Sequence, residues 1–237
     1  MNINFDSDEY KTQLKYFTDY YGSDFRPEQG TEEILRMINM FSIGGTLIDF
    51  GSGSNIFFWL IVMKNIDKVI CVDQSKEALY ISEQIRNGIL IPRSYNFISK
   101  MYNRNLSSVY KLEPVYLVED IFENDLELKD EYENVSQFGL LGLAQDAETY
   151  KKMFLKLWKY VKNKGVFLGA NWLFSDAYAE EKGYSNNYLN CNFIEELAKE
   201  VHGVLVENKI IEIKNDKKYS DVILYAMVRS DDREYKL

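Results

Sequence analysis

Glycines at a strand-to-helix junction are the first residues whose types and spacing suggest chemistry. The segment Asp49-Phe-Gly51-Ser-Gly53-Ser-Asn55 follows a short apolar run and precedes a helix-like segment that begins at Ile56. Glycine lets the backbone turn sharply and approach a ligand closely, and a helix N-terminus favours an anionic or polar group. The same turn also occurs where a strand and a helix simply pack tightly, so the motif indicates a ligand site without establishing one.

Carboxylates follow the next two apolar runs. Asp73 ends the second run, about 20 residues beyond the glycines. A carboxylate at this position can accept hydrogen bonds from both hydroxyls of a ribose. Asp73 also competes with Ser75 for the role of N-cap in the helix that follows. Glu119-Asp120-Ile121 ends the third run, where an acidic side chain can accept a hydrogen bond from an adenine amino group. Three strand ends therefore carry groups that suit an adenosine.

A missing glycine distinguishes between adenosine cofactors. Dinucleotide sites usually contain G-x-G-x-x-G because a pyrophosphate lies along the helix start, whereas this chain has Ile56 at the third position. The pattern therefore disfavours NAD and FAD. S-Adenosyl-L-methionine (SAM) instead needs hydrogen-bond donors for its carboxylate and acceptors for its ammonium, and tyrosines near the N-terminus can supply the donors.

Composition limits the function classes further. The 237 residues contain 28 Lys and Arg against 37 Asp and Glu, a net charge of -9 that would repel nucleic acid. Two distant cysteines and one histidine argue against a metal site and fit a reducing compartment. No apolar run approaches the roughly 18 residues of a membrane span. We expect a cytoplasmic monomer that binds neither metal, membrane nor nucleic acid.

Apolar runs and helical periodicity alternate along the chain. This alternation predicts a parallel, doubly wound sheet, and the last two strands, joined by a polar turn, predict a closing antiparallel hairpin. The layout is typical of class I methyltransferases. The predicted helices are 7–21, 31–41, about 56–65, 76–86, 148–161 and 193–201. The predicted strands are 46–50, 68–73, 114–118, about 135–141, 165–172, 205–213 and 220–229. The stretch 87–112 is an insertion of unassigned role.

Four segments are specific enough to suggest a family. They are Tyr16-Phe-Thr-Asp-Tyr20-Tyr21, Leu47-Ile-Asp-Phe-Gly51-Ser-Gly53, Val72-Asp73-Gln-Ser75 and Val118-Glu-Asp120-Ile121. Together they resemble the small-molecule N-methyltransferases that include the nicotinamide, phenylethanolamine and indolethylamine enzymes. The resemblance implies a class I methyltransferase fold, that is, an α/β Rossmann-like sheet of seven mostly parallel strands with a C-terminal antiparallel hairpin. It also implies a single domain over 1–237, with an N-terminal helical lid (1–45) and a Rossmann-like core (46–237).

The resemblance implies a role for each cofactor-binding residue. Two lid tyrosines would donate to the methionine carboxylate, the glycine turn would follow the amino acid end, and Asn55 would make a polar contact where the family usually has Thr. Asp73 would hold the ribose, helped by Gln74 because Ala78 stands where the family often has a ribose-binding Asn. Asp120 with the Ile121 N–H would hold the adenine. The implied cofactor-binding residues are Tyr16, Tyr21, Gly51, Ser52, Gly53, Asn55, Asp73, Gln74, Asp120 and Ile121.

The acceptor side is also assigned by resemblance, to Tyr20, Leu141, Asn171, Ser175 and Tyr178. Asn171 stands where relatives often carry Asp, and because an amide brings no charge this argues against nicotinamide itself as the acceptor. Asp176 restores a carboxylate if its side chain turns inward, and is otherwise a solvated loop residue. No residue is a firm catalytic candidate; Tyr20 and Asp176 are weak ones.

Methyl transfer from SAM needs little acid–base chemistry. The sulfonium methyl is already activated, so an in-line displacement mainly requires the nucleophile within about 3 to 3.5 Å of it. The only imidazole, His202, follows a helix and fits a structural role. The sequence therefore predicts a SAM-dependent enzyme that methylates a small molecule at the nitrogen of an amine or N-heterocycle and releases S-adenosyl-L-homocysteine (SAH). The alternatives are transfer to oxygen or another atom, and a catalytically silent SAM- or SAH-binding module that acts through a partner protein.

Overall fold

The computed structural model describes residues 3–126, 128 and 131–230, and these residues build a seven-stranded sheet with helices on both faces. The strand order is β3-β2-β1-β4-β5-β7-β6, and every neighbouring pair is parallel except β5–β7 and β7–β6. The strands are β1 Gly45–Phe50, β2 Ile66–Asp73, β3 Val115–Val118, β4 Tyr132–Phe138, β5 Val161–Phe174, β6 Gly203–Glu212 and β7 Tyr219–Arg229. The predicted mostly parallel sheet with a C-terminal antiparallel hairpin is confirmed.

Alternating apolar side chains divide the core into two layers. Leu47 of β1 packs into the cluster on one face of the sheet, while Ile48 and Phe50 pack into the cluster on the other. The neighbouring strand β2 alternates in the same way, with Cys71 in the first cluster and Val72 in the second. Because successive strand side chains point to opposite faces, a parallel strand covered on both sides reads as a continuous apolar run.

The helices lie close to their predicted positions. They are α1 Asp8–Phe17, α2 Thr31–Phe41, α3 Ile56–Leu60, α4 Lys76–Arg86, α5 Arg93–Met101, α6 Leu106–Val109, α7 Ala147–Trp158, α8 Asp176–Lys182 and α9 Cys191–Glu200. A π-helical turn covers Thr18–Gly22, and 3₁₀ turns cover Pro27–Gln29 and Leu141–Leu143. Within the described ranges, no helix combines the length and the apolar character that crossing a bilayer requires.

Two predicted helices are shorter than expected. The first ends at Phe17 and continues as the π-helical turn, where the Thr18 hydroxyl donates to the Leu14 carbonyl at 2.8 Å and competes with regular helical bonding. The helix after the glycine turn ends at Leu60, since the chain must reverse into β2, and Asn65 takes a left-handed conformation (φ 46°) at that reversal.

The unassigned stretch 87–112 forms α5 and α6, which support the N-terminal segment. Ser94 of α5 donates a hydrogen bond from its hydroxyl to the Tyr21 carbonyl. Phe97 of the same helix stacks on Phe25 with ring centroids 5.3 Å apart. The first contact connects the insertion to the π-helical turn that carries Tyr20 and Tyr21, and the second connects it to the segment just after that turn.

Candidate cofactor and acceptor site

The glycine turn lies at the C-terminal end of β1, in the middle of the sheet. Gly51 and Gly53 both have positive φ, 68° and 54°, a conformation that residues with a side chain rarely adopt. A Cβ atom on Gly51 would lie 2.7 Å from the Leu140 Cβ, so this position has no room for a side chain. The Gly51 and Ser52 N–H groups both donate to the Val72 carbonyl, at 2.8 and 3.1 Å, which ties the turn to β2.

Asp73 uses both carboxylate oxygens to organise the same edge of the sheet. One oxygen accepts from the Gly53 N–H and the other from the Ser75 N–H, each at 2.8 Å. The N-cap of α4 is Ser75, whose hydroxyl accepts from the Ala78 N–H, so Asp73 does not cap that helix through its side chain. Burial raises the pKa of Asp73, and the two N–H donors oppose that rise. Each oxygen keeps a further lone pair for a ligand.

Asp49 is a buried carboxyl beneath the turn, and it is not among the residues predicted for the site. It is 2% exposed and accepts a hydrogen bond from the Ser136 hydroxyl at 2.5 Å. Burial raises its pKa to about 7, against the lowering effect of the hydrogen bonds from Ser136 and Ser52. Its position at the end of an apolar run, directly before Phe-Gly51-Ser-Gly53, is the sequence signal that identifies it.

A cavity of about 470 Å³ opens at this edge of the sheet. Eight of the ten predicted cofactor-binding residues line it: Tyr16, Gly51, Gly53, Asn55, Asp73, Gln74, Asp120 and Ile121. Ala78 lines it too. Three of the lining side chains are carboxylates (Asp73, Glu119 and Asp120), and in the described part of the chain no lysine, arginine or histidine lines it.

The other two predicted cofactor-binding residues lie behind the lining. Ser52 is 1% exposed, and its hydroxyl donates to the Asp49 carbonyl at 2.8 Å. Tyr21 is also buried, and its ring packs edge-on against Phe58 at 5.1 Å and against Trp59 at 5.8 Å. Both residues shape the cavity from the second layer.

Asn55 joins the turn to the start of α3. With its amide oriented to match its neighbours, it donates to the Ser52 carbonyl at 3.1 Å and accepts from the Trp59 Nε1 at 3.0 Å. The Asn55 side chain therefore has two structural partners in addition to its place in the cavity wall.

The loop after β3 is anchored by a lysine from α7. Asp120 accepts from the Phe122 N–H at 2.9 Å, which turns the chain directly at the cavity rim. Lys156 donates from its ammonium to the Ile121 carbonyl at 2.8 Å and to the Asn124 carbonyl, and it forms an ion pair with Asp125 at 3.0 Å. Asp125 is exposed, so the two carbonyls are the contacts that fix the loop.

Three tyrosines of the N-terminal segment cluster around the π-helical turn, namely Tyr16, Tyr20 and Tyr21. The Tyr16 ring lies 5.0 Å from the Tyr20 ring and 6.1 Å from the Tyr21 ring, and the hydroxyls of Tyr16 and Tyr21 interact. All three tyrosines line a second, smaller cavity, and Tyr16 also lines the large one. The wide π turn places Tyr20 and Tyr21 together on one side of the chain.

None of the five residues predicted for the acceptor lines the large cavity, and Tyr20 lines the smaller one instead. Leu141 is fully buried beneath it. Ser175 caps α8 by accepting from the Tyr178 N–H, and it donates to the Lys217 carbonyl at 2.7 Å. Tyr178 packs on Phe174 and Tyr219 at the outer surface. Asp176 is exposed in the first turn of α8, as expected if it is a solvated residue and not part of the acceptor pocket.

Asn171 is the last of the five, and it belongs to a buried polar network. Its amide oxygen accepts from the Gly142 N–H at 2.8 Å, and its amide nitrogen donates to the Tyr150 hydroxyl at 2.9 Å. The Tyr150 hydroxyl lies 2.8 Å from the Tyr225 hydroxyl, which accepts from the Gln137 amide at 3.1 Å. The network holds the 3₁₀ turn Leu141–Leu143, of which Gly142 and Leu143 line the large cavity. Both polar atoms of the Asn171 amide are used in these hydrogen bonds.

The side chains that wall the cavity beyond the glycine turn are Gln13, Phe138, Leu140, Leu143, Trp172, Phe174 and Tyr219, none of which the sequence analysis assigns to the site. Trp172 and Phe174 lie in the same stretch of β5 as Asn171. Because side chains alternate along a strand, a shift of one residue moves the selected set to the opposite face. β5 extends through Phe174, and its last four residues alternate between buried and part-buried side chains, although its pairing with β7 shifts register between Leu173 and Phe174.

Comparisons with known proteins identify the fold. Neither a protein-family model nor a curated protein sequence matches the chain. Solved structures do match. The N-methyltransferase NodS from Bradyrhizobium japonicum WM9, in complex with SAH, aligns with TM-score 0.58 and 10% identity over 94% of this chain and 99% of its own.

Two further structures align to a similar extent. A SAM-dependent methyltransferase from Clostridium acetobutylicum gives TM-score 0.56 and 14% identity over 93% of this chain and 99% of its own. A methyltransferase in complex with the Haloferax volcanii Trm112 methyltransferase activator gives TM-score 0.60 and 14% identity over 97% and 99%. These likenesses confirm the class I methyltransferase fold. The narrower resemblance to the nicotinamide and phenylethanolamine N-methyltransferases finds no support among them.

Proposed function

We propose that this chain is a SAM-dependent methyltransferase that transfers a methyl group to a nitrogen of a small molecule. The observation that carries the proposal is the arrangement of Asp73. One oxygen accepts from the Gly53 N–H of the glycine turn, and the other accepts from the Ser75 N–H at the start of α4. Each oxygen has a further lone pair for a ligand in the large cavity, which Asp73 lines. A carboxylate held in this way is suited to the two adjacent hydroxyls of a ribose.

The rest of the cavity fits the remainder of this cofactor. Asp120 and the Ile121 N–H would hold the adenine, the glycine turn would lie against the amino acid end, and Tyr16 would contact its carboxylate. A wall with carboxylates and, in the described ranges, without cationic side chains suits a sulfonium cofactor and disfavours one with phosphates. The cofactor would supply an activated methyl group, so the protein needs only to orient the acceptor.

The acceptor would lie between the glycine turn and the aromatic wall. Tyr16, Trp172, Phe174 and Tyr219 present ring faces or edges there, and Leu143 adds an aliphatic side chain. These residues would exclude water and hold the nucleophilic nitrogen in line with the methyl, at about 3 to 3.5 Å. A neutral nitrogen needs no base, which fits a wall that, over the described residues, holds neither histidine nor lysine. The solved N-methyltransferase NodS is a precedent for nitrogen as acceptor on this fold.

The N-terminal segment 1–45 would act as a lid of this one catalytic domain. Gln13 and Tyr16 from α1 line the cavity, so the segment covers one side of the site. We also propose that the protein works in the cytoplasm, as its low cysteine content suggests, and that it is a monomer.

Calorimetry with SAH tests the cofactor assignment. The wild-type protein should bind SAH, and Asp73→Ala should weaken binding about 100-fold, because two charge-assisted hydrogen bonds contribute about 1.5 kcal/mol each. Asp67→Ala is the matched control, since Asp67 is an exposed carboxylate on the same strand. Unchanged SAH affinity in Asp73→Ala, with the fold retained by circular dichroism, would exclude this cofactor site.

A second candidate is a catalytically silent SAM- or SAH-binding module that acts through a partner protein. The structure solved with the Trm112 methyltransferase activator supports the partner-protein part of this candidate, because that neighbour is found in a complex. Turnover with SAM and a panel of pyridines, imidazoles and primary amines separates the two functions. Mass spectrometry of the products also distinguishes nitrogen from oxygen acceptors. SAH binding without turnover on any acceptor favours the module.

A further inference from the structure

A second cavity adjoins the aromatic wall of the large one. Tyr16, Trp172 and Tyr219 line both cavities, so the two are neighbours across these rings. The second cavity has a volume of about 30 Å³, and its wall also includes Tyr20 and Asp216. About 10 to 15 Å³ of such space holds one water molecule. The tyrosine pocket, as we name this second cavity, therefore admits an ammonium group but not a ring.

Asp216 brings a carboxylate to the tyrosine pocket from the β6–β7 turn. One of its oxygens accepts from the Lys218 and Tyr219 N–H groups at 2.8 and 3.2 Å, and the other accepts from the Gln29 amide at 3.2 Å. All three donors are neutral groups, so they orient the carboxylate without neutralising it. Burial, and next the charge of Asp216, raise the pKa of the Tyr20 hydroxyl, which agrees with that charge facing the pocket.

The nearby cations leave this carboxylate free for a ligand. In the described part of the chain, no lysine or arginine lies within ion-pair distance of Asp216. Lys218, two residues from Asp216, places its ammonium 5.4 Å from the centroid of the Tyr178 ring. Aromatic rings around a single carboxylate are a setting that binds organic cations.

We propose that the tyrosine pocket is an anchoring subsite for an ammonium group of the acceptor. The proposal rests on the methyltransferase function proposed above and narrows its substrate class. The acceptor would carry two functional groups, namely a nitrogen that receives the methyl and a separate protonated amine that is held by Asp216. Asp216 is then a specificity-determining residue, in the place for which Asp176 was a sequence candidate.

The anchored amine is not the atom that is methylated. A protonated amine beside a carboxylate has no free lone pair with which to displace the methyl. The pocket is also too small for the cofactor, which would occupy the large cavity, so the methyl and its nucleophile must meet there. Trp172 and Tyr219, which line both cavities, would separate the anchored end from the reacting end.

Calorimetry with a matched pair of probes tests the subsite. Benzylamine, protonated at pH 7, and benzyl alcohol, its uncharged counterpart, are titrated into the protein saturated with SAH. Wild type should bind benzylamine about tenfold more tightly than benzyl alcohol, and Asp216→Asn should abolish the difference while leaving SAH affinity unchanged. Asp176→Asn, which removes the same charge from an exposed position, should behave as wild type.

Other outcomes would overturn the proposal. Equal affinity of wild type for the two probes, or no binding of benzylamine, removes the subsite. Weaker SAH binding in Asp216→Asn would assign the pocket to the ammonium of the cofactor instead. Should Asp216→Asn fail to fold, Tyr20→Leu tests the aromatic wall with the same expected loss. If wild type binds no SAH, the proposed function fails, and the probe titrations without SAH still decide whether the pocket binds cations.

Discussion

Removal of the Asn171 side chain distinguishes a structural role from a direct role in acceptor binding. Asn171→Ala leaves the Gly142 N–H buried without its acceptor, and it takes one donor from the Tyr150 hydroxyl, which retains Tyr225. An orphaned buried donor costs about 1 to 3 kcal/mol, and the vacated space adds to that cost. We expect the free energy of unfolding to fall by about 2 to 3 kcal/mol.

Urea denaturation followed by circular dichroism measures this loss. With an m value of about 3 kcal/mol/M, the midpoint should fall by about 0.7 to 1 M at unchanged m. Asn187→Ala is the matched control, because Asn187 is exposed and should shift stability by less than about 0.5 kcal/mol. A loss below about 0.5 kcal/mol in Asn171→Ala would refute the argument that its amide is fully used in holding the turn.

A double-mutant cycle with Tyr225→Phe examines the network itself. The Tyr225 hydroxyl contacts the Tyr150 hydroxyl and the Gln137 amide, so its loss disturbs the same chain of hydrogen bonds. Residues in one network couple, and we expect an interaction energy of about 1 kcal/mol between the two substitutions. Strict additivity would mean that the two residues stabilise the protein independently.

Three other predictions concern the cofactor edge of the sheet. Gly51→Ala should destabilise the protein by more than about 2 kcal/mol and abolish SAH binding, because its Cβ would clash with a neighbouring leucine, while Gly88→Ala, with positive φ but open space, should cost about 1 kcal/mol or less in thermal denaturation. Asp49 has a folded-state pKa of about 7 against an ordinary 3.8, so it binds more protons in the folded state, and stability should decline as pH rises from about 4 to about 7. Asp49→Asn should remove this contribution, by up to about 4 kcal/mol, and a wild-type-minus-variant profile that is flat in pH would contradict the assignment. Lys156→Met should weaken SAH binding several-fold by freeing the loop after β3, whereas Lys152→Met on the same helix should not.

Much of the fold could be predicted because it depends on local patterns. Runs such as 46–50 and 68–73 are buried on both faces, so they read as continuous apolar segments whatever their neighbours are. The polar turn between 205–213 and 220–229 likewise indicates a hairpin without knowledge of the rest. The end of the first helix at Phe17 could not be predicted, because the π turn that follows it is held in part by the Ser94 hydroxyl of α5, which is far away in the chain.

The candidate site, like the fold, is only partly predictable from the sequence. Glycines and carboxylates at strand ends are predictable, since parallel strands bring their carboxyl ends to one edge of the sheet. The acceptor wall is not, because which face of β5 borders the cavity depends on the tertiary packing around the strand. The family resemblance selects Asn171, whereas Trp172 and Phe174 are the residues of this strand that line the cavity.

The sequence alone determined the fold class, the position of the glycine turn and the choice of Asp73 and Asp120, because each depends on residues close in the chain. Only the tertiary structure decided which tyrosines and which carboxylate meet beyond that turn. Gln29 and Asp216 bind each other although they are 187 residues apart, and nothing local to either segment encodes that contact. Such long-range neighbours are set by the packing of the N-terminal segment against the C-terminal hairpin, which is a property of the whole chain.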